Sequence, residues 1–317
     1  MVSCVLCTYN GELYIRQQLE SILDQSIMID ELIVCDDISS DNTVDMINDW
    51  KKEAPFDVKI YVNKDRKGPK YNFAQGLQYA HGEYIFFCDQ DDVWSPQKVE
   101  VSLKKIKEVE NKYGKDIPCL VHTDLEVVNQ DLERISPSFL NNQGLYHVEG
   151  ATKQLSILLA QNFVTGCTVL INRALKNIAL PFPKNIIMHD YWLALVAAAS
   201  GNLVFINKAT IKYRQHGHNT VGAKKYMSFY NFEKIFNYSE LIARIDKTVL
   251  QDEELAYYKQ GMFLQKNPVI SKFLNVIHSG SFFQALFSST HKQGFLRDVC
   301  YHIFLAIYVK ERQRQNG

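Results

Sequence analysis

Tyr84-Ile85-Phe86-Phe87-Cys88-Asp89-Gln90-Asp91-Asp92-Val93-Trp94 decides the reading of this chain. The apolar run before Asp89 has the length of a buried strand, and three carboxylates follow it within four positions. In a sheet wrapped by helices, ligands bind beyond the carboxyl ends of the strands. Helix capping accounts for one residue here: Asp92 or Ser95 suits a helix that begins at Pro96. It does not account for three carboxylates. Asp89 and Asp91 are the kind of pair that holds Mg²⁺ or Mn²⁺ while substrate phosphates complete the shell. Asp91 is read as the metal ligand, and Asp89 as a contact to a ribose or, through water, to the same ion.

Outward from this stretch the pattern alternates. Val2 to Cys7 is a short apolar run that ends in Thr8-Tyr9-Asn10-Gly11. Ile15, Leu19, Ile22 and Leu23 then recur at helical spacing. Glu31 to Cys35 predicts a second strand, closed by Asp36-Asp37, and a helix runs from Ser40 to about Trp50. A strand at Val58 to Val62, a helix from Tyr71 to Ala80 and the strand Glu83 to Cys88 follow. Ser95-Pro96 opens a helix that runs to about Tyr113. Strand and helix in alternation give α/β architecture with a mostly parallel central sheet. The three polar clusters that end strands therefore converge on one edge. Further strands are predicted at Leu120 to Asp124, Thr168 to Ile171 and Leu203 to Ile206, with a helix from Tyr191 to Ala199. Beyond Gly222 the sequence turns aromatic, helical and basic.

Composition bounds the function. The 317 residues carry 35 basic and 35 acidic side chains, so there is no basic excess of the kind a nucleic-acid binder shows. The balance is uneven: from Gly261 onward, seven Lys or Arg stand against two acids. Seven scattered cysteines read as reduced, buried thiols of a cytoplasmic protein. Cys4 and Cys7 lie three apart on a strand, which aims them at opposite faces, and no second pair completes a zinc site. No secretory leader is expected at the N-terminus. No apolar run approaches the roughly 20 residues of a membrane span.

Other residues fit a nucleotide-bearing substrate. Either Asp36 or Asp37 can accept hydrogen bonds from a pyrimidine N–H or a ribose hydroxyl. Thr8, Tyr9, Asn10 and Glu12 line the first loop, where the Tyr9 ring can pack on a base or simply on the sheet edge. Asp190 precedes a helix, as an N-cap or as a general base aimed out of the helix end. Gly166 permits close approach of backbone to a ligand. Tyr213-Arg214-Gln215-His216-Gly217-His218 brings two imidazoles and a guanidinium, suited to a metal or a diphosphate, or to a solvated loop.

Six stretches together resemble the family-2 glycosyltransferases. They are Cys-Thr-Tyr-Asn-Gly at 7–11, Asp-Asp-Ile-Ser-Ser-Asp-Asn-Thr at 36–43, Phe-Cys-Asp-Gln-Asp-Asp-Val-Trp at 87–94, Asn-Phe-Val-Thr-Gly-Cys-Thr at 162–168, Met-His-Asp-Tyr-Trp at 188–192 and Tyr-Arg-Gln-His-Gly at 213–217. The resemblance implies a GT-A fold, Rossmann-like, over residues 1–222, with a nucleotide-binding half at 1–100 and an acceptor half at 101–222. Residues 223–317 would form a helical region that meets membrane or another subunit. It also implies a nucleotide-sugar donor bound by Thr8, Tyr9, Asn10, Glu12, Asp36, Asp37, Asp89, Gln90 and Gly166. Asp190 matches the catalytic base of an inverting transfer, and Asp91, Asp89 and His216 match the metal site. His189 departs from the pattern where Glu is common, and Ile38 departs where Gly is common. Within the family the motifs look most like bacterial polysaccharide rhamnosyltransferases, which use dTDP-L-rhamnose; a UDP-hexose donor is the alternative. The implied acceptor is a saccharide, free or linked to undecaprenyl diphosphate. A sugar nucleotidyltransferase would want a glycine-rich basic loop after the first strand, which Thr8 to Glu12 lacks. A non-catalytic binding protein would not need Asp91, Asp190 and His216 together.

Phe295 to Val309 is almost continuously apolar and ends in Lys310, Arg312 and Arg314. Such a helix lies on the anionic inner face of a cell membrane, or packs in a core or between the copies of a homo-oligomer.

Overall fold

The computed structural model describes residues 1–217 and 238–316. A nine-stranded sheet carries the site. Strands β1 (Val2–Thr8), β2 (Glu31–Asp36), β3 (Asp57–Val62) and β4 (Tyr84–Cys88) run parallel in the spatial order β3-β2-β1-β4. Helices α1 (Ile15–Leu23), α2 (Thr43–Trp50) and α3 (Gly68–Tyr79) are the crossovers. The strand order reverses between β1 and β4, which opens a crevice at their carboxyl ends. Thr8, Asp36 and Cys88 end three adjacent strands there.

Every residue of β1 and β2 is buried. Alternate side chains feed two core layers: Cys4 and Leu6 enter one, and Val5 and Cys7 the other. Each large apolar side chain fully buried this way contributes about 1.5–3 kcal/mol. All seven cysteines are free, and every one except Cys300 is buried.

Beyond β4 the sheet becomes mixed. The elements are β5 (Val93–Trp94), α4 (Lys98–Tyr113), β6 (Cys119–Val128), β7 (Arg134–Ser136), α5 (Phe139–Asn142), α6 (Ala151–Leu158), β8 (Val169–Asn172), α7 (Arg173–Ala179), α8 (His189–Ser200) and β9 (Asn202–Arg214). Strand β8 is antiparallel to both β4 and β6, β9 is parallel to β6, and β5 pairs antiparallel with β9. The parallel character expected from the sequence thus belongs to the first four strands and to the β6–β9 pair. The pairing of β5 also moves the start of α4. Ser95 N–H donates to the Thr210 carbonyl at 2.8 Å, so the backbone is still held by the sheet at the position expected to cap the helix. The helix begins at Lys98 instead, and no side chain caps it.

Helix α8 is buried from His189 through Ala199, as expected for a helix apolar on all sides. Against it lies α9 (Tyr238–Lys266, interrupted at Tyr258 to Gly261), followed by α10 (Pro268–Ser279), α11 (Phe282–Leu286) and α12 (Phe295–Asn316); α10 and α12 pack on α9, and α11 packs on α10 and α12. One continuous apolar layer runs from Val5 and Phe87 through Trp192 to Phe263, Phe273 and Leu305. The C-terminal helices therefore share the core of the sheet. The boundary expected at 222/223 and His218 lie outside the described residues.

Candidate active site

A cleft of about 640 Å³ opens at the carboxyl ends of β1 and β4. Thr8, Tyr9, Asp37, Asp89, Gln90, Asp91, Gly166 and Asp190 all line it, although they come from five separate parts of the chain.

Asp91 and His216 meet across 125 positions of sequence, with Oδ2 and Nε2 2.7 Å apart. Both side chains are largely buried, and the His216 ring lies against Tyr14 at 4.8 Å between centroids. Strand β9 makes the meeting possible by delivering Arg214 behind the acidic loop. Arg214 is 2% exposed. Its Nε donates to the Asp91 carbonyl at 2.9 Å, its terminal nitrogens bond the Gln130 carbonyl and Gln17 Oε1, and its own N–H reaches Asp92 Oδ1 at 3.2 Å. The guanidinium expected as a diphosphate contact is thus committed to fastening the loop.

The three carboxylates differ. Burial, then the charges of Asp91 and Asp190, push Asp89 up to about 7. Asp92 is fully enclosed, and burial drives its carboxyl well above the usual range. Lys98, equally buried, donates to the Cys167 carbonyl at 3.0 Å, and burial lowers its ammonium to about 8. A divalent cation fits the cleft-lining residues. Asp89 and Asp91 offer the oxygen ligands that Mg²⁺ and Mn²⁺ prefer, and His216 adds an imidazole. Ligand atoms of Asp89, Asp92 and Cys167 also lie within 4.8 Å of one another. That set is a poorer fit, because burial raises the Cys167 thiol well above its ordinary value and keeps it protonated.

The first loop is braced by the residues expected to bind nucleotide. Gln90 Oε1 accepts from Tyr9 N–H at 2.8 Å, and Gln90 Nε2 donates to the Tyr9 carbonyl at 3.0 Å. A Cβ at Gly11 would meet Gln90 Oε1 at 2.3 Å, so glycine at 11 leaves room for this clamp. Asn10 bonds Ser39 and Ser40, and Glu12 bonds Asn42. Asp36 is fully buried and takes Thr8 Oγ1 and both donors of Ser39. Asn10, Glu12 and Asp36 thus stand behind the cleft wall and hold it. Their side-chain oxygens accept from backbone N–H groups of Ser39, Ser40 and Asn42 in the loop after β2. Asp37 does face the cleft, and it accepts from Lys67 N–H and Gly68 N–H at the start of α3. Ile38, where glycine was noted as common, has φ +64°, a left-handed conformation that a β-branched residue adopts only under strain.

Asp190 lies within the first turn of α8, and Met188 occupies the cap position without a side-chain bond. The N-cap reading of Asp190 is therefore set aside. Burial pushes its carboxyl up to about 6, against hydrogen bonds from Tyr191 N–H, Gly166 N–H and the Asn162 side chain. Gly166 is needed here for protein packing as well as for the cleft. A Cβ there would lie 2.8 Å from His189 Nε2. The His189 ring stacks on Phe73 at 4.0 Å, and burial lowers it to about 3, so it stays neutral.

Two cleft residues escaped the sequence reading. Arg66 places its guanidinium 3.9 Å over the Tyr9 ring. Arg297, from the first turn of α12, lines the cleft and donates to the Gln143 and Gly144 carbonyls. Arg66 lies in no patterned stretch, and although Arg297 falls within the apolar run Phe295 to Val309, nothing in one dimension brings residue 297 to residue 143.

Comparison with known proteins places this arrangement. Over 234 residues the chain is 29% identical to the dTDP-rhamnosyl transferase RfbG of Shigella flexneri, covering 69% of this chain and 74% of that protein. Over 218 residues it is 29% identical to WfgD of Escherichia coli, a UDP-Glc:alpha-D-GlcNAc-diphosphoundecaprenol beta-1,3-glucosyltransferase, covering 68% and 77%. In fold it is similar to S. aureus TarS 1–349 in complex with UDP-GlcNAc, with a TM-score of 0.53 at 17% identity, covering 100% of this chain and 92% of that one. It is also similar to the mannosyltransferase PcManGT of Pyrobaculum calidifontis in complex with GDP-Man and Mn²⁺, with a TM-score of 0.54 at 14% identity, covering 100% and 75%. The fold is GT-A. The family profile described as glycosyl transferase family 2 matches residues 3–173, and with that match the chain belongs to glycosyl transferase family 2.

Proposed function

We propose that this glycosyltransferase moves L-rhamnose from dTDP-L-rhamnose, with inversion, onto a saccharide hydroxyl of an undecaprenyl-diphosphate-linked acceptor at the inner face of the cell membrane. The observation that carries the chemistry is the buried Asp190 carboxyl, held up at about 6 in the same cleft as Asp91, whose carboxylate meets His216. A base tuned near the working pH can take a proton and give it up again. Asp190 accepts the acceptor hydroxyl proton while that oxygen bonds to the anomeric carbon. The bond from that carbon to the diphosphate oxygen breaks, and its electron pair leaves with the nucleoside diphosphate. Asp37 and the first loop, stiffened by Gln90, orient the nucleotide. Asp91, Asp89 and His216 would hold Mn²⁺ or Mg²⁺. When bound, such an ion supplies positive charge opposite the departing diphosphate.

The rhamnosyl donor is supported by the similarity to RfbG; the equal similarity to WfgD supports a UDP-hexose as the second reading. The lipid-linked acceptor is supported by the acceptor named for WfgD. Incubation with Mn²⁺ and a panel of nucleotide sugars tests the donor. Turnover of dTDP-L-rhamnose above UDP-hexoses is expected, and turnover of a UDP-hexose alone would replace the first reading with the second.

A further inference from the structure

Helix α12 is apolar on two faces. Tyr301, Leu305, Tyr308 and Val309 are buried against the other helices. On another face Phe295 is 81% exposed, Leu296 64%, Val299 41% and Ile303 43%. At 3.6 residues per turn these four and the exposed Lys310 and Arg314 fall within an arc of about 100°. Phe283 on α11 and Phe287 at its C-terminal end are 71% and 84% exposed, and α11 packs against α12. A monomeric soluble protein rarely leaves a grouping of this kind bare.

We propose that this face of α11 and α12 is the surface that docks on an anionic lipid bilayer. Two observations select the bilayer. The apolar residues share their helical face with Lys310 and Arg314, within a C-terminal stretch of strong basic excess, and this is the composition of an interfacial helix. The same helix also reaches the active site. Arg297, between the exposed Leu296 and Val299, lines the cleft, and the neighbouring Gln293 bonds Tyr146 and Gln161 on the acceptor side. The cleft wall and the apolar face are then separated by one helix diameter, about 10–12 Å. Among the described residues no helix is long and apolar enough to cross a membrane, so the contact is peripheral. Docking in this orientation brings the saccharide of a lipid-linked acceptor to the cleft mouth while its lipid stays in the bilayer. The idea rests on the lipid-linked acceptor proposed above, yet the two fail separately.

The test uses the full chain, with co-sedimentation on phosphatidylcholine vesicles made with and without phosphatidylglycerol. Binding to the anionic vesicles, weakened by salt, is expected. The triple variant Phe287→Ser, Phe295→Ser, Leu296→Ser should lower the partition coefficient at least about tenfold. Lys310→Gln with Arg314→Gln should lower it on anionic vesicles alone. Slow donor hydrolysis without vesicles should be unchanged in both, which confirms an intact fold and reports on the catalytic reading independently. Equal sedimentation of wild type and triple variant overturns the proposal. So does absence of vesicle binding, or a stable dimer in solution that the triple variant dissociates, since a second copy would then cover this face.

Discussion

Asp190→Asn separates catalysis from stability. The substitution keeps the size of the side chain and removes its charge. General-base catalysis contributes about 10²- to 10⁴-fold, so the barrier should rise by about 2.7–5.4 kcal/mol. The structure adds an opposite effect on the fold. Asp190 is raised from 3.8 to about 6 by burial. In that interval the native state binds more protons than the unfolded chain, so stability falls as pH rises through it. At neutral pH the ionised carboxylate therefore costs on the order of 2–3 kcal/mol, which asparagine does not incur. The variant should lose transfer while its melting temperature at pH 7 rises, and the rise should vanish toward pH 4. Wild-type activity should drop as pH falls through about 6, leaving about a tenth at one unit below. The assay is initial-rate release of nucleoside diphosphate with Mn²⁺ across pH, beside thermal melts of both proteins. A variant that keeps more than about a tenth of the wild-type rate, or whose residual activity shows the same acid limb, would refute the assignment of the base.

Three further substitutions probe the frame around the site. Arg214→Lys cannot reach the Asp91 and Gln130 carbonyls and Gln17 together, so stability to urea should fall by about 2–4 kcal/mol and more Mn²⁺ should be needed for half-maximal activity. Gly11→Ala drives a Cβ into Gln90 and breaks its clamp on Tyr9; the KM for the donor should rise while melting changes by no more than about 1–3 kcal/mol. Ile38→Gly removes a left-handed β-branched residue that is 41% exposed, and calorimetry should show a gain of about 0.5–1 kcal/mol, because relief of strain exceeds the added backbone entropy.

The local chemistry was legible in one dimension. The buried strands β1, β2 and β4 and the acidic cluster after β4 with Asp91 could be read from apolar runs and the polar residues that close them, whereas the roles of Asp190 and His216 came from the family resemblance. Such runs fix which segments are strands, and strand ends in a wrapped sheet face one edge whatever the details of packing. What only the tertiary structure decided is the division of labour at that edge. Asn10, Glu12 and Asp36 look like ligand contacts in sequence, yet their side chains bond the loop after β2, and Gln90, which does line the cleft, also clamps Tyr9. Arg214 turned inward because β9 pairs with β6 along most of its length and ends behind the acidic loop. The helix after Trp94 started late because β5 found a partner in β9. Arg297 reached the cleft from the far end of the chain. These outcomes depend on contacts between residues far apart in sequence, and periodicity, a local property, carries no record of them.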